Sequence, residues 1–334
     1  MRNLLLLITL ISGLAGCSHE SNFSAIESIS AKEKPLKIIT RILTTKSANF
    51  VQEFKEGSEI GLLITRESDG GLYDEDSDYI NVKAEANLIS NKISWRQTPE
   101  VTLNFDPATV YAYYPYQPQM KLGTASIPVK LSPDATQTRD YMYGTHALGQ
   151  KIVNSISPVV LLNMEHALSL ISFQVNLPEG ENESYQLSAI QIGNKAGGSA
   201  LICKGMMDIR NGRITKIAGC STSTRLNLPE PVTLGKEYCK TQQIRVIPTT
   251  TPIAEGDIEA LFTINGNSYK YKMPAQTMWE KGHKYLYKLT LSGEALTLKE
   301  VSVTDWIQVT VKMLQAALCK FYFNELTRES YVYI

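Results

Sequence analysis

Hydrophobic residues recur along this chain in short runs in which apolar and polar positions partly alternate. EIGLLIT (59–65) and KYLYKLTL (284–291) are typical, and both are rich in β-branched, aromatic or other apolar residues. Because successive side chains of a strand point to opposite faces, this pattern is typical of half-buried strands. Turn residues separate the runs, and Asn211-Gly212 and Asn265-Gly266 favour type I′ hairpin turns. Many short strands joined by turns predict an all-β sandwich or barrel.

The order of these runs predicts two domains followed by a tail. The segment IVNSISP (152–158) separates two groups of predicted strands. We therefore expect an N-terminal β-sandwich domain over residues 35–155 and a C-terminal one over residues 156–306, both of ordinary domain size. Residues 307–334 form the tail, and residues 309–326 within it have the periodicity of an amphipathic helix.

The first residues have the pattern of a secretory signal. A basic residue precedes the apolar run Leu4–Leu14, which is too short to cross a bilayer as a helix, and small residues follow it. The string Leu14-Ala15-Gly16-Cys17 resembles the lipobox of bacterial lipoproteins, in which the cysteine thiol receives a diacylglycerol. The resemblance implies that residues 1–16 are a lipoprotein signal peptide and that Cys17 is the lipidated residue. Residues 17–34 are polar and rich in serine, which predicts a tether.

Charge and cysteine content exclude some classes of partner and site. The chain has 33 basic and 33 acidic residues, so its formal net charge is zero and we expect no nucleic-acid partner. Four cysteines follow Cys17, and their spacing fits no zinc motif. In an oxidising compartment they can form disulfides or stay as isolated apolar side chains, and the sequence leaves both alternatives open. They are Cys203, Cys220, Cys239 and Cys319.

Sequence motifs for catalysis are missing from the chain. It contains no nucleophile elbow, no HExxH zinc-protease motif and no glycine-rich phosphate-binding or dinucleotide-binding loop. We therefore expect neither an enzyme nor a cofactor. The chain has four histidines, and none stands beside a partner motif. His166, in the apolar stretch LLNMEHALSLISF (161–173), is expected to be a half-buried or edge histidine.

An acidic stretch has the most suggestive spacing for a metal ion. Asp74, Asp76 and Asp78 occupy alternate positions, and Glu85 stands where a calcium-binding loop has its bidentate glutamate. Tyr79, however, occupies the position at which such a loop needs glycine, and a strand pattern follows it. A solvated hairpin loop accounts for the stretch better than a calcium site does, and we expect no metal site.

Aromatic residues offer a possible surface for sugars. Trp95, Trp279, Trp306 and the tyrosines of VYAYYPYQP (110–118) have flat rings on which a sugar could stack. Strands, however, use such residues routinely for packing against neighbouring strands. The sequence therefore favours packing and keeps glycan binding as the main alternative.

Several segments are characteristic of one protein family. They are FKEGSEIGLLIT (54–65), TVYAYYPYQP (109–118), RDYMYGT (139–145), LNMEHALSLISFQV (162–175), and WEKGHKYLYKLTLSG (279–293) followed by VSVTDW (301–306). In this order, and together with the lipobox, they resemble the fimbrillins, the subunits of type V pili on outer-membrane anaerobes. Ser58 replaces the usual aspartate after Gly57, and the tail after Trp306 is unlike the endings of the family.

The resemblance implies a fold and a mode of assembly. Fimbrillins contain two tandem β-sandwich domains of transthyretin-like type and are made as lipoproteins. In stalk subunits a surface protease cuts after a basic residue near the start of the first domain, the first strand leaves, and a strand from the next subunit fills the groove. By this resemblance LKIITRILTT (36–45) is the removable strand, and Arg41 and Lys46 are alternative processing sites or, in an anchor that is not cut, ordinary exposed basic residues. Residues 307–334 are a candidate donor segment, and an added helix or sequence altered by a frameshift are the alternatives that the sequence leaves open.

The resemblance therefore implies a structural subunit of a pilus, in a stalk, tip or anchor position that the sequence leaves open. Its expected partners are other pilus subunits, the outer membrane through the lipid on Cys17, and a host glycan or protein receptor. The expected location is the outer membrane and the fimbrium at the cell surface. The alternative is a lipid-anchored surface protein that binds glycans and never polymerises.

Overall fold

The chain forms an all-β structure, as the alternating pattern predicts. The computed structural model describes residues 33–43, 53–73, 79–120, 125–181, 183–217, 223–293 and 295–305. Within these ranges no helix is long and apolar enough to span a membrane. The strands are β1 (Lys34–Pro35), β2 (Lys37–Ile42), β3 (Glu59–Arg66), β4 (Val82–Ile89), β5 (Lys92–Thr98), β6 (Thr102–Leu103), β7 (Ala108–Tyr114), β8 (Ser126–Lys130), β9 (Met142–His146), β10 (Val159–His166), β11 (Ser169–Asn176), β12 (Tyr185–Asn194), β13 (Lys204–Asp208), β14 (Ile214–Lys216), β15 (Thr224–Leu234), β16 (Gln242–Val246), β17 (Ile258–Ile264), β18 (Asn267–Lys272), β19 (His283–Ser292) and β20 (Ala295–Asp305).

The first hydrophobic core lies inside a seven-stranded sheet with the order β2-β10-β9-β7-β3-β4-β5. Alternation decides which side chains enter it. In β4, for example, Val82, Ala84 and Ala86 are buried, and the residues between them are partly exposed. Gly61 in β3 lies against the ring of Tyr113 in β7, and a side chain at residue 61 would overlap that ring.

The second core lies between two four-stranded sheets, which have the orders β16-β11-β19-β20 and β15-β12-β17-β18. Phe173 of the first sheet meets Phe262 of the second edge-to-face, with 5.2 Å between ring centroids. Trp279 is fully buried and donates a hydrogen bond of 2.9 Å from Nε1 to the hydroxyl of Tyr287. Two sheets packed face to face in this way confirm the predicted β-sandwich fold.

The hairpin prediction holds fully at one of the two Asn-Gly pairs. Asn265 and Gly266 both have positive φ and connect β17 to β18, as a type I′ turn requires. At the turn between β13 and β14, only Gly212 has positive φ, and its N–H donates to the carbonyl of Asp208 at 2.8 Å. This second turn is therefore not of the predicted type.

Two sheets combine strands from both sides of the predicted domain limit between residues 155 and 156. Strand β10 follows residue 155 but belongs to the seven-stranded sheet, where it pairs with β2 and β9. Conversely, β8 precedes that limit and pairs with β13 in a three-stranded sheet, β14-β13-β8. Strand β11, which follows β10 directly, belongs to the sheet β16-β11-β19-β20 of the second core.

Candidate functional site

The segment of residues 33–43 supplies β2, the first strand of the seven-stranded sheet, and β1, which lies in a separate two-stranded sheet with β6. Its first part, β1, pairs antiparallel with β6, and the N–H of Leu36 donates to the carbonyl of Val101 at 2.8 Å. Its second part, β2, pairs in parallel with β10, so that residues 37–42 stand opposite residues 159–164. The N–H of Leu43 extends this pairing to the carbonyl of Met164 at 2.9 Å. One short segment thus closes the first sandwich.

The inward side chains of this segment are part of the first core. Leu36 and Ile38 are 3% and 7% exposed. Their neighbours include Val160, Leu162 and Met164 of β10, all of which are fully buried. Burial of one such aliphatic side chain contributes about 1.5–3 kcal/mol, so the segment fills a real gap in the core.

Two polar side chains of β5 hold the segment on the side away from β10. The indole N–H of Trp95 donates to the hydroxyl oxygen of Thr40 at 3.2 Å. The amide of Gln97 donates to the carbonyl of Leu36 at 2.6 Å and accepts from the N–H of Val101 at 3.2 Å. Side-chain contacts therefore take the place of a backbone ladder between β2 and β5.

Loss of residues 33–43 would leave a groove between β10 and β5. The backbone N–H and C=O groups of β10 that face β2 would lack partners, and the side chains of Val160, Leu162 and Met164 would meet water. A row of unpaired backbone groups beside apolar side chains is a template for another extended chain. We call this site the first-strand groove, bounded by β10 on one side and by Trp95 and Gln97 on the other.

A family model described as fimbrillin-like matches residues 40–306. The chain belongs to the fimbrillin-like family. Solved structures with the same fold include a fimbrial protein from Bacteroides vulgatus, with 16% identity, a TM-score of 0.58, and coverage of 82% of this chain and 100% of that one. A proposed cell adhesion protein from Bacteroides ovatus has 20% identity, a TM-score of 0.59, and coverage of 82% and 98%. The search of curated proteins found no match to the chain.

Family membership confirms the resemblance seen in the sequence, and the processing residues can be placed against the fimbrillin-like fold. Arg41 lies inside β2, opposite Asn163 of β10, with an exposed side chain. Lys46 and Cys17 lie outside the described residues, as do residues 307–334 of the tail. Both the lipidation site and the processing sites remain predictions.

In this fimbrillin-like chain, the histidines of β9 and β10 each have a hydrogen-bonding partner. His166 is 1% exposed, and its Nδ1 lies 3.0 Å from a carboxylate oxygen of buried Asp140, so the expected half-buried position is wrong. The alternation of β10 directs this side chain inward, and Asp140 supplies the polar partner that the sequence did not reveal. His146 accepts a hydrogen bond at Nε2 from the N–H of Val110 at 3.0 Å, and burial lowers its pKa.

Acidic side chains do not converge on a metal site in the part of the chain that the structure describes. Glu85, the candidate bidentate ligand, instead pairs with Arg96 at 2.9 Å and lies 3.8 Å from the ammonium of Lys83. The aspartates of residues 74–78 lie outside the described ranges.

Three of the aromatic residues considered as a sugar platform are buried in the two cores, and the other tyrosines of the stretch 110–118 are only partly buried. Trp95 and Trp279 are 7% and 0% exposed, and Tyr113 is fully buried. Trp306 lies outside the described residues. Burial of these rings favours the packing role over the glycan-binding alternative.

Of the four later cysteines, two lie in the described ranges and differ from each other. Cys203 is disulfide-bonded. Cys239 is a buried free thiol whose sulfur accepts from the N–H of Val175 at 3.3 Å. Cys220 and Cys319 lie outside those ranges. Both alternatives left open by the sequence therefore occur in one chain.

Proposed function

We propose that this protein is a structural subunit of a type V pilus that assembles by strand exchange and supports surface adhesion. Membership in the fimbrillin-like family supports a pilus-type subunit on the cell surface. The observation that carries the assembly mode is the first-strand groove. Residues 33–43 fill it with two buried side chains, yet β2 has a backbone ladder on one side only.

Processing after a basic residue would make the first strand replaceable. A protease binds its substrate as an extended segment, and Arg41 is already paired inside β2. A cut there would also leave Ile42 and Leu43 attached to the body of the protein. Lys46 follows β2 in the sequence, so a cut after it would separate the whole strand. We therefore favour Lys46 over Arg41 as the processing site.

The lipid on Cys17 would carry the precursor to the outer membrane. Several acyl chains give durable attachment, because each buried CH₂ contributes about 0.8 kcal/mol. Removal of residues before the cut would release the subunit from this anchor and open the groove at the same time. The next subunit would then supply an extended segment, and because such a contact is head-to-tail it produces a filament.

The test is to determine the mature N-terminus on intact cells and to run an unboiled gel that preserves strand-exchanged polymers. We expect a terminus at Ser47 and a ladder of bands. The Lys46→Gln variant should abolish both, and the matched Arg41→Gln variant should leave both intact. A lipidated Cys17 as the sole terminus, with no ladder, would contradict cleavage and exchange.

A further inference from the structure

The first-strand groove contains a buried hydrogen-bond donor whose acceptor belongs to the strand that leaves. Trp95 is 7% exposed, and its indole nitrogen donates to the hydroxyl of Thr40 at 3.2 Å. If an apolar side chain replaced that hydroxyl, the N–H would stay buried without this acceptor. An unsatisfied buried donor is costly, whereas the shape of the groove would be unchanged.

We infer that the groove selects an incoming strand that presents a hydroxyl to Trp95. This inference rests on the proposed strand exchange and specifies the partner segment. The incoming strand must reproduce the inward side chains of the departing strand. In that strand Leu36 and Ile38 point into the core, and Thr40 accepts the hydrogen bond from the indole. An occupant needs two apolar residues and one hydroxyl at alternate positions.

The tail of the chain contains one segment with this pattern. Among residues 307–334, the serine and threonine residues are Thr310, Thr327 and Ser330. Apolar residues stand both two and four positions away, on the same side, only for Ser330, where they are Val332 and Ile334. This match in sequence pattern points to residues 330–334 of another copy of this chain as the occupant.

The order of these residues fixes the direction of the incoming strand. In the departing strand the apolar positions precede the hydroxyl, and in the tail they follow it. The tail segment must therefore run opposite to β2, antiparallel to β10. Ser330 then faces Trp95, while Val332 and Ile334 take the positions of Ile38 and Leu36. Arg328 reaches the place of Ile42, which is only partly buried and so tolerates a charged side chain.

The experiment measures displacement of the first strand by synthetic peptides. The protein is the full chain from residue 18, with a recognition sequence for a site-specific protease inserted after Lys46. After cleavage, the first strand stays in the groove until a labelled peptide displaces it, and fluorescence anisotropy gives the apparent Kd. The peptides are residues 33–43, with Thr40→Val, Thr40→Ser and outward Ile39→Thr variants, and residues 326–334, with a Ser330→Ala variant.

We expect the Thr40→Val and Ser330→Ala peptides to bind about tenfold more weakly than their parents, because each loses the acceptor for the indole. The Thr40→Ser and Ile39→Thr peptides should bind within about threefold of the parent, since both keep that acceptor. In Trp95→Phe protein the difference in affinity between the parent 33–43 peptide and its Thr40→Val variant should vanish.

Equal binding of the parent and Thr40→Val peptides to the wild-type protein would overturn the selection by a hydroxyl and leave strand exchange standing. Binding of the 33–43 peptide without binding of the 326–334 peptide would overturn the assignment of the tail segment. Failure of every peptide to displace the first strand would overturn the proposed exchange itself, and the inference with it.

Discussion

Two adjacent isoleucines provide a matched test of whether residues 33–43 close the first sandwich. Ile38 points into the core and is 7% exposed, whereas Ile39 points outward and is 53% exposed. Both lie in β2 and both face the same change in helix and strand propensity when replaced by alanine. The Ile38→Ala and Ile39→Ala variants therefore differ only in the burial of the side chain.

The magnitude follows from burial and from the position of β2. Replacing a buried isoleucine by alanine costs about 2–5 kcal/mol, and an edge strand can shift to fill part of the cavity. We expect about 2 kcal/mol for Ile38→Ala, which corresponds to roughly a 30-fold rise in the equilibrium constant for release of β2. For Ile39→Ala we expect a change within about 0.5 kcal/mol, as at other exposed sites.

Hydrogen exchange followed by mass spectrometry measures this release directly on the fragment that contains residues 37–43. In the uncleaved chain, amides of β2 exchange when the strand leaves β10, so exchange should be fastest in Ile38→Ala. Equal rates in the two variants would show that the inward side chain does not hold the strand. Ile38 would then be excluded as the side chain that closes the groove, and Leu36 would be left as the buried apolar contact of the segment.

Four further predictions test other parts of the account. Burial lowers the pKa of His146, so below about pH 6.5 the unfolded chain binds more protons than the folded one and the folded state loses stability. The His146→Gln variant should therefore show a smaller fall in Tm between pH 7.5 and pH 5 than the unmodified protein. An equal fall in Tm would contradict this. Gly61→Ala should lower the free energy of unfolding by about 1–3 kcal/mol in urea titrations, because the new methyl group overlaps a tyrosine ring. The control Gly235→Ala places its methyl group in open space and should leave the free energy of unfolding unchanged. Removal of residues 307–334 should block incorporation into fibres and leave the two sandwiches folded, with an unchanged Tm; normal assembly would exclude the tail as donor. Cys17→Ala should abolish labelling by a fatty-acid analogue, and continued labelling would refute the lipobox assignment.

The strands themselves were predictable because local alternation encodes them. Val82, Ala84 and Ala86 give β4 its inward face, and Asn265-Gly266 supplies the two positive φ angles of the hairpin turn between β17 and β18. Both signals depend only on neighbouring residues. The type of each element could therefore be predicted from the sequence, and the sandwich class followed from the number of elements.

The pairing of strands was not predictable in the same way, because alternation says nothing about which edge a strand joins. Strand β10 has the alternating pattern of any half-buried strand, yet it belongs to the first sheet, beyond the predicted domain limit. The contacts that close the groove are equally remote in sequence. Trp95 and Thr40 are 55 residues apart, and Gln97 and Leu36 are 61 apart. Only the resemblance to fimbrillins pointed to residues 36–45 as a removable strand.

In the strand exchange that we propose, the way in which the first strand is held would let one segment both close the domain and be replaced. Its longer ladder, between β2 and β10, is parallel, and its antiparallel contact through β1 spans only Lys34–Pro35. Parallel pairing is slightly less stable per residue than antiparallel pairing. An incoming strand that runs antiparallel to β10 would keep the apolar contacts and the indole hydrogen bond while improving the ladder. Under this proposal, exchange in that direction would be favoured once a cut let the first strand leave, and an uncut chain would be protected from it because its own strand is held at a high effective concentration.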